Sequence, residues 1–307
     1  MTQTIAKIAE TNTEEIVAAL IEEMESHDPN TPYTPGWITA LHKNVNGYEY
    51  KGWNQFHLNF KYGHLTPIWG TFHQWKNIGL YTVAGTGLPL WQRIPIVKKD
   101  KETEEDKVVG SKFKTIPIFN IDHVKGNKDT IIELKKNLIP VHNNNMKAER
   151  IYRVDDDIAN IINNHNINFV EGSNKACYVP SEDKVMMPLY SSFKRVEHYY
   201  SVFFHELTHW SGHSKRLNRD LSGKFGSKDY AFEELIAELG ASFHMARWGL
   251  FHQTRKDHAM YLKSWAKALR DKPEALRSAC KYASDSYFYL QQNSESLAVI
   301  NEDAVNQ

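Results

Sequence analysis

The chain has 307 residues, of which 41% are hydrophobic, 12% aromatic and 24% charged, with 37 Lys and Arg balanced by 37 Asp and Glu. That length is ample for two ordinary cores, and the composition excludes a disordered or fibrous chain. Cys177 and Cys280, far apart in sequence, exclude a disulfide framework; no apolar stretch approaches membrane-spanning length and MTQTIAKIAETNTEE lacks a secretory pattern, so a cytoplasmic protein with no membrane partner is expected.

Residues 13–26 (TEEIVAALIEEMES) place Ile16, Ala19, Leu20 and Met24 at helical spacing among acidic residues, which predicts an amphipathic helix. From 28 to 95 the texture turns to Pro, Gly and aromatics, with strands expected at 88–98 (LPLWQRIPIVK) and 115–121 (TIPIFNI). Between them KKDKETEEDK, residues 98–107, reads as an exposed hairpin loop. A short helix is expected near 129–138, and HNNN at 142–145, close to a proline, reads as a connection between a domain 1–145 and a domain 146–307.

Beyond the connection, VDDDIANIINNH suits a helix with an Asp N-cap, and CYVPSEDKVMMP (177–188) reads as strand, turn, strand. A helical pattern over 195–211 ends near Gly212, a natural stop, and three more helices are expected at 229–247, 254–270 and 273–291. The fold class is therefore α+β, a mixed first domain followed by a mainly helical second domain with a small β-sheet.

Within FFHELTHWSGH, His205 and His209 lie four apart, so on a helix their rings project from one face and can grip one ion. Glu206, next to the first of them, is placed to take a proton from a water on that ion without ligating it. A catalytic zinc needs a third ligand and an open position, and YAFEELIAELGASF supplies Glu234 and Glu238, again four apart. One of the two can ligate while the other accepts the spare ring proton of a histidine. This Glu-x-x-x-Glu resembles the Glu-x-x-x-Asp of thermolysin-like gluzincins, where the first carboxylate is the ligand, which implies Glu234 as ligand and Glu238 as its support. Glu233, about a hundred degrees round the helix, is expected to be solvated or bound to a surface Arg. Closed structural sites are usually completed by cysteines, and only Cys177 is near, so an open, water-bearing site is the better fit. Tyr230, His213 and Tyr178 are candidates for stabilising an oxyanion. CYVP or KVMMP is a candidate rail that would hold an extended peptide by strand addition.

The runs YYSVFFHELTHWSGHSKRLNR and FGSKDYAFEELIAELGASF resemble the C-terminal metallopeptidase domain of ArdC-type antirestriction proteins, and CYVPSEDKVMMP resembles the strand pair before it. GYEYKGWNQFHL, WGTFHQWKNIGLYTVAGTGLPL and IFNIDHVKG resemble that family's N-terminal single-stranded-DNA-binding domain. The resemblance covers most of the chain, from about Trp37 to about Trp265. The resemblance implies a zincin-like (gluzincin) second domain in a protein of a plasmid, phage or other mobile element, which binds single-stranded DNA and protects it from host restriction. It puts His205, His209 and Glu234 at metal-ligand positions and Glu206 at the general-base position, with one Zn2+ per chain or another divalent metal in its place. The loop VAGTGLPL departs from the pattern: relatives carry lysines around its glycines, and here Ala84 and Thr86 stand instead.

Residues 31–130 hold 13 Lys and Arg against 8 Asp and Glu, whereas residues 1–30 hold one Lys against seven acids. Aromatics interleave with lysines there, as in single-strand binders that combine stacking with a basic groove. Most of these aromatics must belong to a core; Lys51, Trp53, Asn54, Lys76 and Tyr81 are the candidates for DNA contact. Three functions compete: a DNA-binding antirestriction protein with a metallopeptidase that cuts a host protein or peptide, a DNA-coating protein whose metal is structural, and a peptidase whose first domain recognises protein substrate.

Overall fold

The computed structural model describes residues 2–28, 36–99, 106–139, 147–224, 226–250 and 262–292, with the side chains of 2–12 and 147–150 outside that description. The connection at 142–145, residues 100–105 of the charged run and the first part of the helix expected at 254–270 lie outside it.

The chain opens with helix α1 (Thr2–Ser26), whose Ile16, Val17, Leu20 and Met24 form one buried stripe. Then come β1 (Lys43–Asn44), α2 (Gly52–Tyr62), β2 (Ile68–Gly70) and α3 (Phe72–Asn77). Helix α3 starts where the Thr71 hydroxyl and the Gln74 side chain cap each other's backbone N–H groups. β3 (Tyr81–Thr82), β4 (Leu88–Lys99), β5 (Asp106–Asn120) and β6 (Val124–Lys125) complete the strands of this half, and α4 (Lys128–Leu138) follows with Asn127 as its N-cap. The order β1-β2-β5-β4 makes a four-stranded sheet, and β3 pairs with β6. β4 and β5 form a long antiparallel ribbon from Leu88↔Ile118 to Lys99↔Asp106, with a register shift between Ile96 and Val97.

The second half has α5 (Lys147–Asn164), β7 (Asn168–Glu171), β8 (Cys177–Val179), β9 (Lys184–Met187), α6 (Val196–Ser211), α7 (Lys228–Arg247), α8 (Leu262–Asp271) and α9 (Ala275–Gln291). The architecture is mixed α+β, with the second half mainly helical around a small sheet. Helix α5 begins at Lys147, upstream of the expected Asp N-cap, so the VDDD acids lie within its turns rather than at its start. The small sheet gains a strand that periodicity does not reveal: its order is β7-β9-β8, with β7 parallel to β9. β9 is therefore paired on both sides, which removes KVMMP as a substrate rail and leaves the edge strand β8.

Two large cores meet on α7. The first joins α1, Trp37, Trp53 and Phe56 to α8, α9 and the Leu235, Ile236, Leu239 and Phe243 side of α7. The second joins α5, the small sheet and α6 to Ala241 and Met245 of the same helix. The first core thus draws on both halves of the chain, while two smaller clusters sit under the N-terminal strands.

Candidate metal centre

Helix α6 is buried on nearly every side, which its run of Tyr199, Tyr200, Val202, Phe203, Phe204 and Leu207 dictates. It crosses α7 closely because Gly240 faces Thr208: a Cβ added at Gly240 would fall 2.3 Å from Thr208 Oγ1. This contact brings the His205 and His209 face of α6 onto the acidic face of α7. The two Nε2 atoms lie 3.1 Å apart. His205 Nε2 is 3.6 Å from Glu234 Oε2, and His209 Nε2 is 3.4 Å from Glu234 Oε1. Ligands about 2.0–2.1 Å from a tetrahedral ion sit about 3.4 Å from each other, so this spacing fits a divalent metal. One ligand atom from each of these three residues lies within 4.8 Å of the others.

Each ring has its own carboxylate on the far nitrogen. Glu238 Oε1 is 3.4 Å from His205 Nδ1, and Glu233 Oε1 is 3.1 Å from His209 Nδ1. Such partners fix ring orientation and raise ligand basicity. Glu233 is bound to an arginine, one of the two expectations for it, but in the interior rather than at the surface: it is only 8% exposed and is held by buried Arg219 at 2.8 and 3.1 Å. The reason is long-range, since the loop after α6 folds Arg219 back under the helix, where its Nη2 also donates to the Thr208 carbonyl at 2.5 Å. Gly212 makes room for that return: it ends α6 in a right-handed conformation (φ −73°), and a Cβ there would lie 2.7 Å from Arg219 Nη2. Its lack of a side chain matters here for space, not for a left-handed turn.

Burial disfavours charged rings, but the facing carboxylates outweigh it and hold His205 at about 10 and His209 at about 9. Burial likewise pushes Glu234 and Glu233 up, and the histidines, with Arg219 for Glu233, pull both below the ordinary carboxylate range. The cluster is an electrostatic trap for positive charge, which a dication satisfies with neutral rings and an ionised Glu234.

Glu206 is buried beside His205, and its Oε2 accepts a hydrogen bond of 2.9 Å from the backbone N–H of Tyr178. Tyr178 lies on the edge strand β8, so the open side of that strand faces the base position. A clasp holds the strand: the Tyr178 hydroxyl donates to Asp183 Oδ1 at 3.0 Å, and Arg216 binds Asp183 at 3.0 and 2.5 Å. The Arg216 guanidinium also lies 3.7 Å over the Trp210 ring. Of the oxyanion candidates, Tyr178 is thus engaged by Asp183 and Arg216, His213 Nδ1 accepts from Lys215 N at 3.2 Å, and Tyr230 packs against the first core.

Comparison with known proteins gives two family matches. Residues 7–124 match the N-terminal domain of anti-restriction factor ArdC, and residues 156–282 match a zincin-like metallopeptidase family. An uncharacterized protein y4eC of Sinorhizobium fredii is 30% identical over 95% of this chain and 94% of its own length. The chain belongs to the ArdC antirestriction family. A DNA primase TraC of Escherichia coli is 29% identical over 87% of this ArdC-family chain, which spans 26% of that longer protein. Crystal structures of the antirestriction ArdC protein of plasmid R388, one metal-free and one with Mn(II) bound, superpose with a TM-score of 0.66 at 25% identity, covering 92% of this chain and 97% of theirs.

In the ArdC N-terminal half, the residues singled out for DNA contact lie at the start of α2 (Lys51, Trp53, Asn54) and on α3 and β3 (Lys76, Tyr81). Trp53 is 9% exposed, stacks on Phe56 and His57, and belongs to the first core. Asn54 donates to the Trp91 carbonyl at 2.6 Å, and Lys51 lies 4.2 Å over the Phe288 ring. Lys76 is exposed at the end of α3, and Tyr81 is 64% exposed on β3. Sequence reasoning passed over the exposed Phe113 in β5, whose alternation with Lys112 and Lys114 was the available signal. Among the described residues no helix is long and apolar enough to cross a membrane.

Proposed function

We propose that this ArdC-family chain is a metal-dependent peptidase joined to a single-stranded-DNA-binding half, and that it protects the incoming DNA of a mobile element from restriction in the host cytoplasm. The observation that carries the peptidase reading is Glu206: an intact carboxylate, outside the ligand set, held at Oε2 by the Tyr178 N–H of an edge strand. His205, His209 and Glu234 would hold the ion, with zinc the reading from the donor set and Mn(II) bound in the R388 relative. When bound, such an ion supplies Lewis acidity toward water and a substrate carbonyl. Glu206 accepts the proton of the attacking water at its carboxylate and returns it to the leaving amine. Strand β8 offers its open edge to an extended peptide, while Glu238 and Glu233 keep the two rings aimed.

The DNA-coating reading has one observation in its favour: His205 and Glu234 are buried, and only His209 of the three is partly open. Glu206→Gln separates the two. The variant should keep metal and fold, lose the new amino termini released from a denatured protein substrate, and lose protection in transfer assays into a restricting host while DNA affinity stays unchanged. Full protection by Glu206→Gln, with no cleavage by either protein, would give the function to DNA coating.

A further inference from the structure

We propose that single-stranded DNA runs along one face of the β4–β5 ribbon, with Phe113 as its stacking platform and Trp91, Arg93 and Arg277 beside it. The inference rests on the reading of the first half as a DNA binder and assigns that reading a surface. Strand alternation and the pairings Trp91↔Thr115 and Arg93↔Phe113 put Trp91, Arg93, Phe113 and Thr115 on one face. Two distances agree: Arg93 Nε donates to Ser111 Oγ at 2.8 Å, and the Phe113 ring meets Trp91 edge-on with centroids 6.3 Å apart.

Phe113 is 63% exposed, although the chain has ample core to take a phenylalanine. A large ring left in solvent, braced edge-on by a second aromatic, presents a π-face on which an unpaired base can stack. Arg93 stands directly opposite it on the same face, whereas Lys112 and Lys114, one step to either side of Phe113, project from the other face. The described parts of the ribbon as a whole, residues 88–99 and 106–120, carry six Lys and Arg against the single acid Asp106. At the base of the ribbon the guanidinium of Arg277, from α9, lies 5.3 Å from the Trp91 ring and 5.6 Å from Trp53. The track therefore begins against the metallopeptidase half and runs outward. The sequence between the strands, DKETEE at 100–105, is acidic and would repel phosphates, which confines the strand to the stem. A single strand is the occupant because its bases present open faces to rings, whereas a duplex presents only backbone and groove edges.

The test is fluorescence anisotropy on the full-length, metal-loaded protein with a labelled mixed-sequence single strand and the same sequence as a duplex. Phe113→Ala should weaken single-strand binding about tenfold or more, and Phe113→Trp should restore it. Arg93→Gln, on the face of Phe113, should lower the slope of log affinity against log salt by about 0.7, for the one phosphate no longer neutralised. Tyr152→Ala, at an exposed ring on α5 of the second half, should stay within about threefold of the parent. All variants should melt as the parent does, because the substituted side chains are exposed. Parent-like binding by the ribbon variants, in a parent that does bind single strands, overturns the assignment of the ribbon. A greater loss for duplex than for single strand overturns the choice of occupant, and a parent that binds neither overturns the DNA reading itself.

Discussion

Gly240→Ala tests whether the crossing of α6 and α7 sets the ligand spacing. In an exposed helix interior this change stabilises by about 1 kcal/mol through backbone entropy. Here the new methyl would lie 2.3 Å from Thr208 Oγ1 and 2.6 Å from its Cγ2. Ordinary contact is about 3.4 Å or more, so the helices must part by roughly 1 Å or Thr208 must leave its rotamer, at a cost of about 1–3 kcal/mol. The net effect expected is neutral to about 2 kcal/mol destabilising. Its signature lies in the metal site: ligand distances tolerate only about 0.2 Å, so parting the helices on which His205, His209 and Glu234 sit should weaken metal binding at least about tenfold. Isothermal titration with Zn2+ or Mn2+, beside thermal melting in chelator, measures both effects. Thr208→Ala in the same chain removes Oγ1 and Cγ2 and should recover most of the affinity. A Gly240→Ala protein that melts higher than the parent and binds metal equally well would refute the reasoning.

Glu238→Gln should cost about 10- to 100-fold in metal affinity with little change in fold, because it loses the carboxylate 3.4 Å from His205 Nδ1 while keeping its size; competitive chelator titration reads this out. Glu233→Gln should lower affinity similarly and also destabilise, by about 3–5 kcal/mol, since buried Arg219 then lacks its anionic partner, and urea denaturation will show the difference between the two variants. His244, sandwiched against Phe204 and Tyr287, is pushed down to about 3 by burial and then by Arg247, so it stays neutral when folded and takes a proton only on unfolding. Its contribution is fully present above the ordinary histidine pKa of 6.5 and is lost as pH falls toward 3, at about 1.4 kcal/mol per pH unit. His244→Phe should flatten the acid limb of a stability-against-pH curve by about one proton, whatever its effect at neutral pH.

What the sequence disclosed was what a single helix or a short turn determines. His205 and His209 share a face because they are four residues apart, and the same spacing offered Glu234 and Glu238 as partners. The strand-turn-strand at 177–188 was visible for the same local reason, with Asp183 taking the left-handed position of the bend (φ 47°). What stayed hidden depends on long-range packing. Glu233 looked like a surface acid because neither the approach of α6 nor the return of Arg219 is encoded in the α7 pattern. The central place of β9 needed β7, whose four residues give no clear alternation, and the burial of Trp53 needed α9 to lie over α2. Amphipathicity in α1 announced a buried face but could not say that it would pack on α8 at the far end of the chain.

In the proposed function, His205, His209 and Glu234 hold one divalent ion while Glu206 stands beside it as a base. Metal content per chain, measured by elemental analysis after identical loading and dialysis, tests this most directly across Glu206→Gln and Glu234→Gln. One ion per chain is expected in the parent and in Glu206→Gln, and loss of the ion in Glu234→Gln, where an anionic ligand becomes a neutral amide. Loss of metal in Glu206→Gln, or full retention in Glu234→Gln, would contradict this assignment.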